Sequence, residues 1–240
     1  MKRYRIYPSL LDGYTYMCGI DDPEQRDVKR QELIDSINRV PHEPIEAASR
    51  GTAMNAIMDV IKCRVKPEQG VTLQKDGGLY YAWLDGFKFM FDGGLVDALS
   101  AALPDNPVPQ VFCSAELEVA QGVVELYGYA DYVSGDSIID LKTTKDYTPG
   151  KFRDHWQHAV YPYCLLKSGD MEECRGFVYT VAEVSEGKDG IIRGRVFGEH
   201  YPTDLVEVED RLRNFLSYEF LPFLEDHRSV ITDRKIFGGL

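Results

Sequence analysis

Residues 126–144, LYGYADYVSGDSIIDLKTT, constrain the fold more than any other stretch of this chain. Two runs rich in aromatic and β-branched residues flank Gly135-Asp136, a pattern that predicts two antiparallel strands joined by a two-residue turn. That turn sets Ser134 opposite Ser137 and Asp131 opposite Asp140. Directly opposed side chains have Cβ atoms ~4.5–5.5 Å apart, where like charges repel, and aspartate is disfavoured in strands to begin with. Lys142 lies two residues beyond Asp140, so alternation places both on one face. Ala130, Tyr132, Ile139 and Leu141 make the other face, the expected core side. Continued through a turn at Gln121-Gly122, the ladder adds Glu116 and Glu118 to the Asp131 face, and Ala115, Leu117 and Val119 to the core face. A slip of one residue would scatter this pattern.

Two readings fit such a hairpin. In one it is a surface element with an exposed Asp–Lys ion pair and no special role. In the other a divalent cation lies between the carboxylates. Hard oxygen ligands suit Mg²⁺ or Mn²⁺, and a cation on two aspartates beside a lysine can orient and activate water against a phosphodiester.

The rest of the chain reads as alternating helices and strands without a Ser/Gly/Pro-rich linker. An apolar stripe predicts a helix over 23–40, ended by Pro41 and Pro44. A second, capped by Ser49, runs to about Val65, so that residues 1–66 form an N-terminal helical segment. LYYAWLDGFKFMF is a hairpin turning at Asp85-Gly86, and GGLVDALSAAL a short helix stopped by Pro104. Strands follow at about 110–119, 123–133 and 137–143, then a helix from about Phe152 to Lys167, with a kink or early end expected at Pro162. RGFVYTVAEV and IIRGRVFGEH predict two further strands, and a long amphipathic helix spans about 204–226. The expected fold is one α+β domain over residues 1–240, with a central mixed β-sheet flanked by helices.

Composition narrows the function classes. With 44% hydrophobic and 12% aromatic residues the chain can bury a core. Its 27 basic and 39 acidic residues give a net charge of −12, which argues against a protein that coats nucleic acid through a broad basic field. A few phosphates gripped through a local patch and a metal remain compatible with it. Five scattered cysteines show no CxxC spacing, so neither a zinc knuckle nor a disulfide framework is expected. No apolar run approaches ~18 residues and the basic start lacks an apolar core, so neither a membrane span nor a secretory signal is expected, and the expected compartment is the cytoplasm.

Taken together, Asp131 in GYADYV, Asp140 and Lys142 in IIDLKTT, and Gln157 and Tyr161 in WQHAVYPY resemble the PD-(D/E)XK nuclease superfamily, in particular its RecB-like and lambda-exonuclease-like branch. The pattern there is an aspartate on one strand, (D/E)-x-K on the next, and a helix carrying Q-x-x-x-Y. RGTAMNAIMD is similar to an upstream helix reading G-T-x-x-H-x-x-x-E, with Asn55 in the place of the histidine and Asp59 in that of the glutamate. YPSLLDGY is similar to the opening segment of that branch. The resemblance covers about residues 7–165. It implies a restriction-endonuclease-like α/β/α fold and a Mg²⁺- or Mn²⁺-dependent DNA nuclease, expected to be an exonuclease of phage or mobile-element type acting in end processing or recombination. It implies metal ligation by Asp131, Asp140 and the Leu141 carbonyl, water positioning by Lys142, and support from Gln157 and Tyr161. Asp59, Asn55 and Glu116 are further candidate ligands. Asn55 is a poorer ligand than imidazole and no base near neutral pH. This motivates an alternative, a nuclease-derived nucleic-acid- or protein-binding module without turnover.

No iron–sulfur cluster is expected, since nothing after Cys174 completes a cysteine group. Expected partners are DNA with linear ends and a recombinase or single-strand-binding protein; an oligomer is compatible with the sequence. Lys145, Lys151, Arg153 and His158 are candidate phosphate contacts, opposed by Asp146 and Asp154. His155 and His158 read as surface or core histidines rather than ligands.

Overall fold

The computed structural model describes residues 2–67 and 69–238. The chain opens on strand β1 (Lys2–Ile6), followed by helices α1 (Pro8–Cys18), α2 (Pro23–Ile37) and α3 (Glu46–Met58), the last continued by a π-helical turn over Asp59–Cys63. Then come β2 (Thr72–Asp76), β3 (Leu79–Leu84), β4 (Phe87–Asp92), α4 (Gly93–Ala102), β5 (Val108–Val119), β6 (Gly122–Ser134), β7 (Ser137–Thr144) and α5 (Gln157–Ser168). Strands β8 (Gly176–Glu186) and β9 (Ile191–Pro202) precede α6 (Leu205–Phe215) and α7 (Leu221–Asp226), which are joined by a π-helical turn. Among the described residues no helix is long and apolar enough to cross a membrane.

The strands form one nine-stranded sheet in the order β1-β6-β7-β8-β9-β4-β3-β2, with β5 on the other edge of β6. Pairs β1/β6, β7/β8 and β4/β9 are parallel and the rest antiparallel, so the sheet is mixed. Helices cover it on both faces. Tyr4, Leu126, Ile138, Tyr161, Phe177 and Phe220 belong to one core; Met54, Phe91, Leu99, Tyr132, Ile139 and Leu141 belong to the other.

The hairpin register is the expected one: Ser134 pairs with Ser137 and Tyr132 with Ile139. Its outer face is not solvated, however. Ile138, on the Asp140 side of β7, is fully buried, and its parallel neighbours Phe177, Tyr179 and Val181 on β8 are buried too. Strands at the centre of a doubly covered sheet bury both faces. The carboxylates therefore sit at the end of an apolar layer beneath α5.

One edge of β6 is shared by two strands. Strand β1 pairs with it as far as Leu126 and β7 only from Tyr132. Among the described residues, positions 127–131 have no strand partner on that edge. This break positions the candidate site.

Four local expectations are corrected. The N-terminal segment is not wholly helical: Tyr4 and Ile6 alternate inward with exposed Arg3, which makes β1 a strand. Ser49 caps no helix, because its hydroxyl donates to Asp85 at 2.6 Å, and Ile45 stands at the N-cap of α3. The first predicted helix is interrupted early, since Arg39 adopts φ +55° just past α2. Helix α5 begins at Gln157 rather than Phe152 and runs through Pro162 to Ser168. Residues 158–165 are all buried, and that packing offsets the one backbone hydrogen bond proline forfeits.

Tyr161 on α5 rests directly on β6 at Gly128, where a Cβ would meet the ring at 2.6 Å. Gly128→Ala is expected to cost about 1–3 kcal/mol in urea unfolding through overpacking; an unchanged midpoint would show that the ring is not seated there.

Candidate functional site

Continued by two residues, the β6–β7 register would set Ala130 opposite Leu141, and the Ala130 carbonyl would receive the Leu141 N–H. The ladder stops first. The Leu141 N–H instead donates to the side chain of Asp131, Oδ2, at 3.0 Å. A strand residue presents its N–H and C=O to the same edge, so the Leu141 carbonyl is also aimed into this gap. Asp131 reaches across to the α3 layer as well, where Asn55 Nδ2 lies 3.4 Å from the same oxygen. Burial, then the neighbouring charge of Asp140, pushes the Asp131 carboxyl up to about 7, against the pull of Lys142 and the Leu141 N–H.

Asp140 is 2% exposed and faces α5. Gln157 Nε2 donates to Asp140 Oδ1 at 2.8 Å, Lys142 Nζ donates to Gln157 Oε1 at 2.6 Å, and Lys142 Nζ stands 2.8 Å from Asp140 Oδ2. The three side chains close a ring. Burial works against the charge on Lys142, but the attraction of Asp140, with Asp131 and Asp12 behind it, holds its pKa above that of an ordinary lysine. Lys142 is thus an ammonium and no base at neutral pH. Tyr161 stands at the rim, its hydroxyl 3.5 Å from Gln157 Nε2, and burial first of all holds its proton on.

The α3 side carries Asn55 and Asp59, which line a cavity of about 200 Å³ with Thr52, Ala56, Val71, Gln110 and Asp131. Asp59 Oδ1 accepts the Tyr132 hydroxyl at 2.7 Å. Among the described residues, no three His, Cys, Asp or Glu side chains form a group that could hold a metal by themselves. One buried oxygen at the site, Asn55 Oδ1, nevertheless lacks a hydrogen-bond partner, and Asp140 Oδ2 faces only the Lys142 ammonium. With Asp131 and the Leu141 carbonyl these are hard oxygen donors, of the kind that suits Mg²⁺ or Mn²⁺.

The structure thus brings together Asp131, Asp140, Leu141, Lys142, Gln157, Tyr161 and Asn55, with Asp59 alongside. It corrects the expectation that both aspartates project from one face, because Asp140 meets α5 whereas Asp131 enters the strand gap and meets α3. Glu116 does not belong. It pairs across the ladder with Glu125, six residues or ~20 Å along β6 from Asp131, and is held by Arg3 in an ion pair. His158 is no phosphate contact: it is buried, stacked on Tyr201 with centroids 4.3 Å apart, and driven down to about 4 by burial and then by Arg211. Lys151 is spent on the Thr144 hydroxyl and the Asp146 carbonyl.

Asp12 and Tyr179 escaped the sequence reading, and His155 lies closer to the site than a plain surface or core histidine would. Asp12 on α1 accepts the Trp156 N–H at 2.6 Å, fixing the start of α5, and burial lifts its carboxyl to about 6 while Lys142 opposes. His155 Nδ1 lies 3.6 Å from Asp12 Oδ2. The Tyr179 ring, on the β8 residue paired with Asp140, lies 5.5 Å from Lys142 Nζ.

No protein-family model and no curated protein matches the chain. Among solved structures it is similar to the crystal structure of SSO0001, with 12% identity, a TM-score of 0.42, and coverage of 89% of this chain and 75% of that one.

The electrostatics give a pH test. An aspartate raised in the fold contributes stability that is present below its unfolded pKa and is lost as pH rises through about 7. Asp131→Asn keeps an acceptor for the Leu141 N–H without the charge. In metal-free buffer it is expected to stabilise the protein by on the order of 2 kcal/mol at pH 8, the gain shrinking toward pH 4. Urea titrations at several pH values check this; a variant less stable than wild type at pH 8 contradicts it.

Proposed function

We propose that the chain is a Mg²⁺- or Mn²⁺-dependent DNA nuclease of restriction-endonuclease-like α/β/α architecture and PD-(D/E)XK type. An exonuclease working on linear ends in DNA processing or recombination is the form we favour. One observation carries the reading: Asp131, Asp140, the Leu141 carbonyl and Lys142 converge where β6 and β7 part, beneath Gln157 and Tyr161 of α5.

Asp131, Asp140 and the Leu141 carbonyl would hold the cation, with Asn55 and Asp59 at its α3 side. When bound, a divalent ion supplies Lewis-acid stabilisation of the charge that develops on the scissile phosphate. Lys142, permanently charged, donates hydrogen bonds to the attacking water or a phosphate oxygen and offsets the same charge. Gln157 holds both the ammonium and the Asp140 carboxylate, so it fixes their separation, and a cation would take Asp140 Oδ2 from Lys142. Tyr161 keeps its proton and offers a donor at the mouth of the site. Asp12 orients α5 through the Trp156 N–H and adds negative charge that keeps Lys142 protonated.

Asn55 favours a second reading, a nuclease-derived binding module without turnover, because an amide replaces imidazole at the α3 position. The two readings part on one assay. Linear DNA incubated with Mg²⁺ or Mn²⁺ is expected to be degraded by wild type and at least ~100-fold more slowly by Lys142→Ala and Asp140→Ala. Unchanged activity in both variants refutes the assignment; Mn²⁺ binding by wild type without any cleavage favours the module.

A further inference from the structure

The sheet face that leads into the site is open. On β1, β6 and β5 one set of alternating side chains is buried under α5 and its neighbours. The opposite set, Arg3, Arg5, Phe112, Glu116, Glu125, Tyr127 and Tyr129, faces outward and ends at Asp131. Two large aromatics stand unprotected on it. Tyr129 is 57% and Phe112 46% exposed, and as a cross-strand pair their rings lie 5.2 Å apart. Tyr129 precedes Asp131 by two residues on the same strand, ~7 Å away. Beside them, at the bare edge of β6, opens a cavity of about 440 Å³ lined by Tyr7, Arg39, Tyr127, Gly128, Tyr129 and Tyr161. Tyr161, which lines this cavity, also lies 3.5 Å from Gln157, so the cavity adjoins the site.

The charges around this face are already answered. Arg3 pairs with Glu116, Arg5 with Glu125 at 3.3 Å, and Arg39 with Asp233 at 2.8 Å. Arg5 also lies 4.2 Å over the Tyr127 ring. In a chain of net charge −12 little cationic field is left to grip a phosphate track. The face offers stacking surface instead. Aromatic side chains stack on bases only when those bases are unpaired, since a duplex keeps its base faces inside.

Resting on the nuclease reading of the adjoining site, we propose that Tyr129 and Phe112 form a stacking platform for the unpaired bases of a single-stranded DNA end. The Tyr7–Tyr127–Tyr161 cavity leads that strand past the break in the sheet edge to Asp131. The substrate form is single-stranded or frayed DNA, and the platform contributes binding rather than chemistry.

The test is fluorescence anisotropy with a labelled thymidine 20-mer and a blunt duplex of the same length, Ca²⁺ replacing Mg²⁺. Wild type is expected to prefer the single strand. The Phe112→Ala/Tyr129→Ala double variant, altered only at exposed positions, is expected to lose at least ~10-fold in single-strand affinity and keep its duplex affinity within about 2-fold, while Tyr129→Phe, which retains the ring, binds as wild type. The salt dependence should correspond to about two phosphates or fewer. Equal wild-type affinity for both DNAs, or no loss in the double variant, overturns the platform. Cleavage by wild type with Mg²⁺ is read separately. Cleavage without ring-dependent binding removes the platform and leaves the nuclease reading standing; ring-dependent binding without cleavage does the reverse.

Discussion

The candidate site depends on one hydrogen bond that a regular sheet would not contain, from the Leu141 N–H to the carboxylate of Asp131. A buried N–H must find an acceptor. Where β6 and β7 part, the missing backbone carbonyl is replaced by a side chain. That replacement opens the sheet edge, keeps the gap narrow enough for a carboxylate to span, and aims the Leu141 carbonyl into it. It also forces an acid into an apolar layer next to a second acid. The raised proton affinity of Asp131 is the electrostatic consequence, and a proton or a cation there serves the same purpose of cancelling excess negative charge.

Against that background Lys142 and Gln157 have a structural and a chemical side that cannot be separated. Asp140 is buried, and a buried carboxylate without partners is costly. Gln157 and Lys142 supply one partner each for its two oxygens. A chain selected only for stability gains by replacing such a ring with packed apolar side chains of the same volume. Its presence beneath an otherwise apolar helix, at the one broken edge of β6, is what favours a binding or catalytic role over a decorative ion pair.

Much of this was legible in the sequence. Gly135-Asp136 sets the turn and hence the register, and the turn chemistry is local, so Ser134–Ser137 and Tyr132–Ile139 follow from a few residues. The faces were less legible. Alternation implied a polar outer surface, but Ile138 followed by Ile139 is the mark of a strand buried on both sides, and β8 and α5 cover the second side from positions far along the chain. Asp12 was invisible for the same reason: it caps α5 from α1, and no spacing rule relates residue 12 to residue 156. Glu116 shows the opposite error. Parity put it on the Asp131 side of the sheet, but parity says nothing of distance along the strand. Of the two readings of His158, phosphate contact and core histidine, burial in an apolar helix selects the second and keeps the ring neutral.

The most direct test is a crystal soaked in Mn²⁺ at pH 8 and examined by anomalous scattering at the manganese edge. The account predicts a single strong peak in the gap between β6 and β7, ligated by Asp131, Asp140 and the Leu141 carbonyl, with the Lys142 ammonium displaced from Asp140 Oδ2. An intact fold with no peak there, or with the Asp131 carboxylate still bound to the Leu141 N–H and manganese only elsewhere, would contradict it.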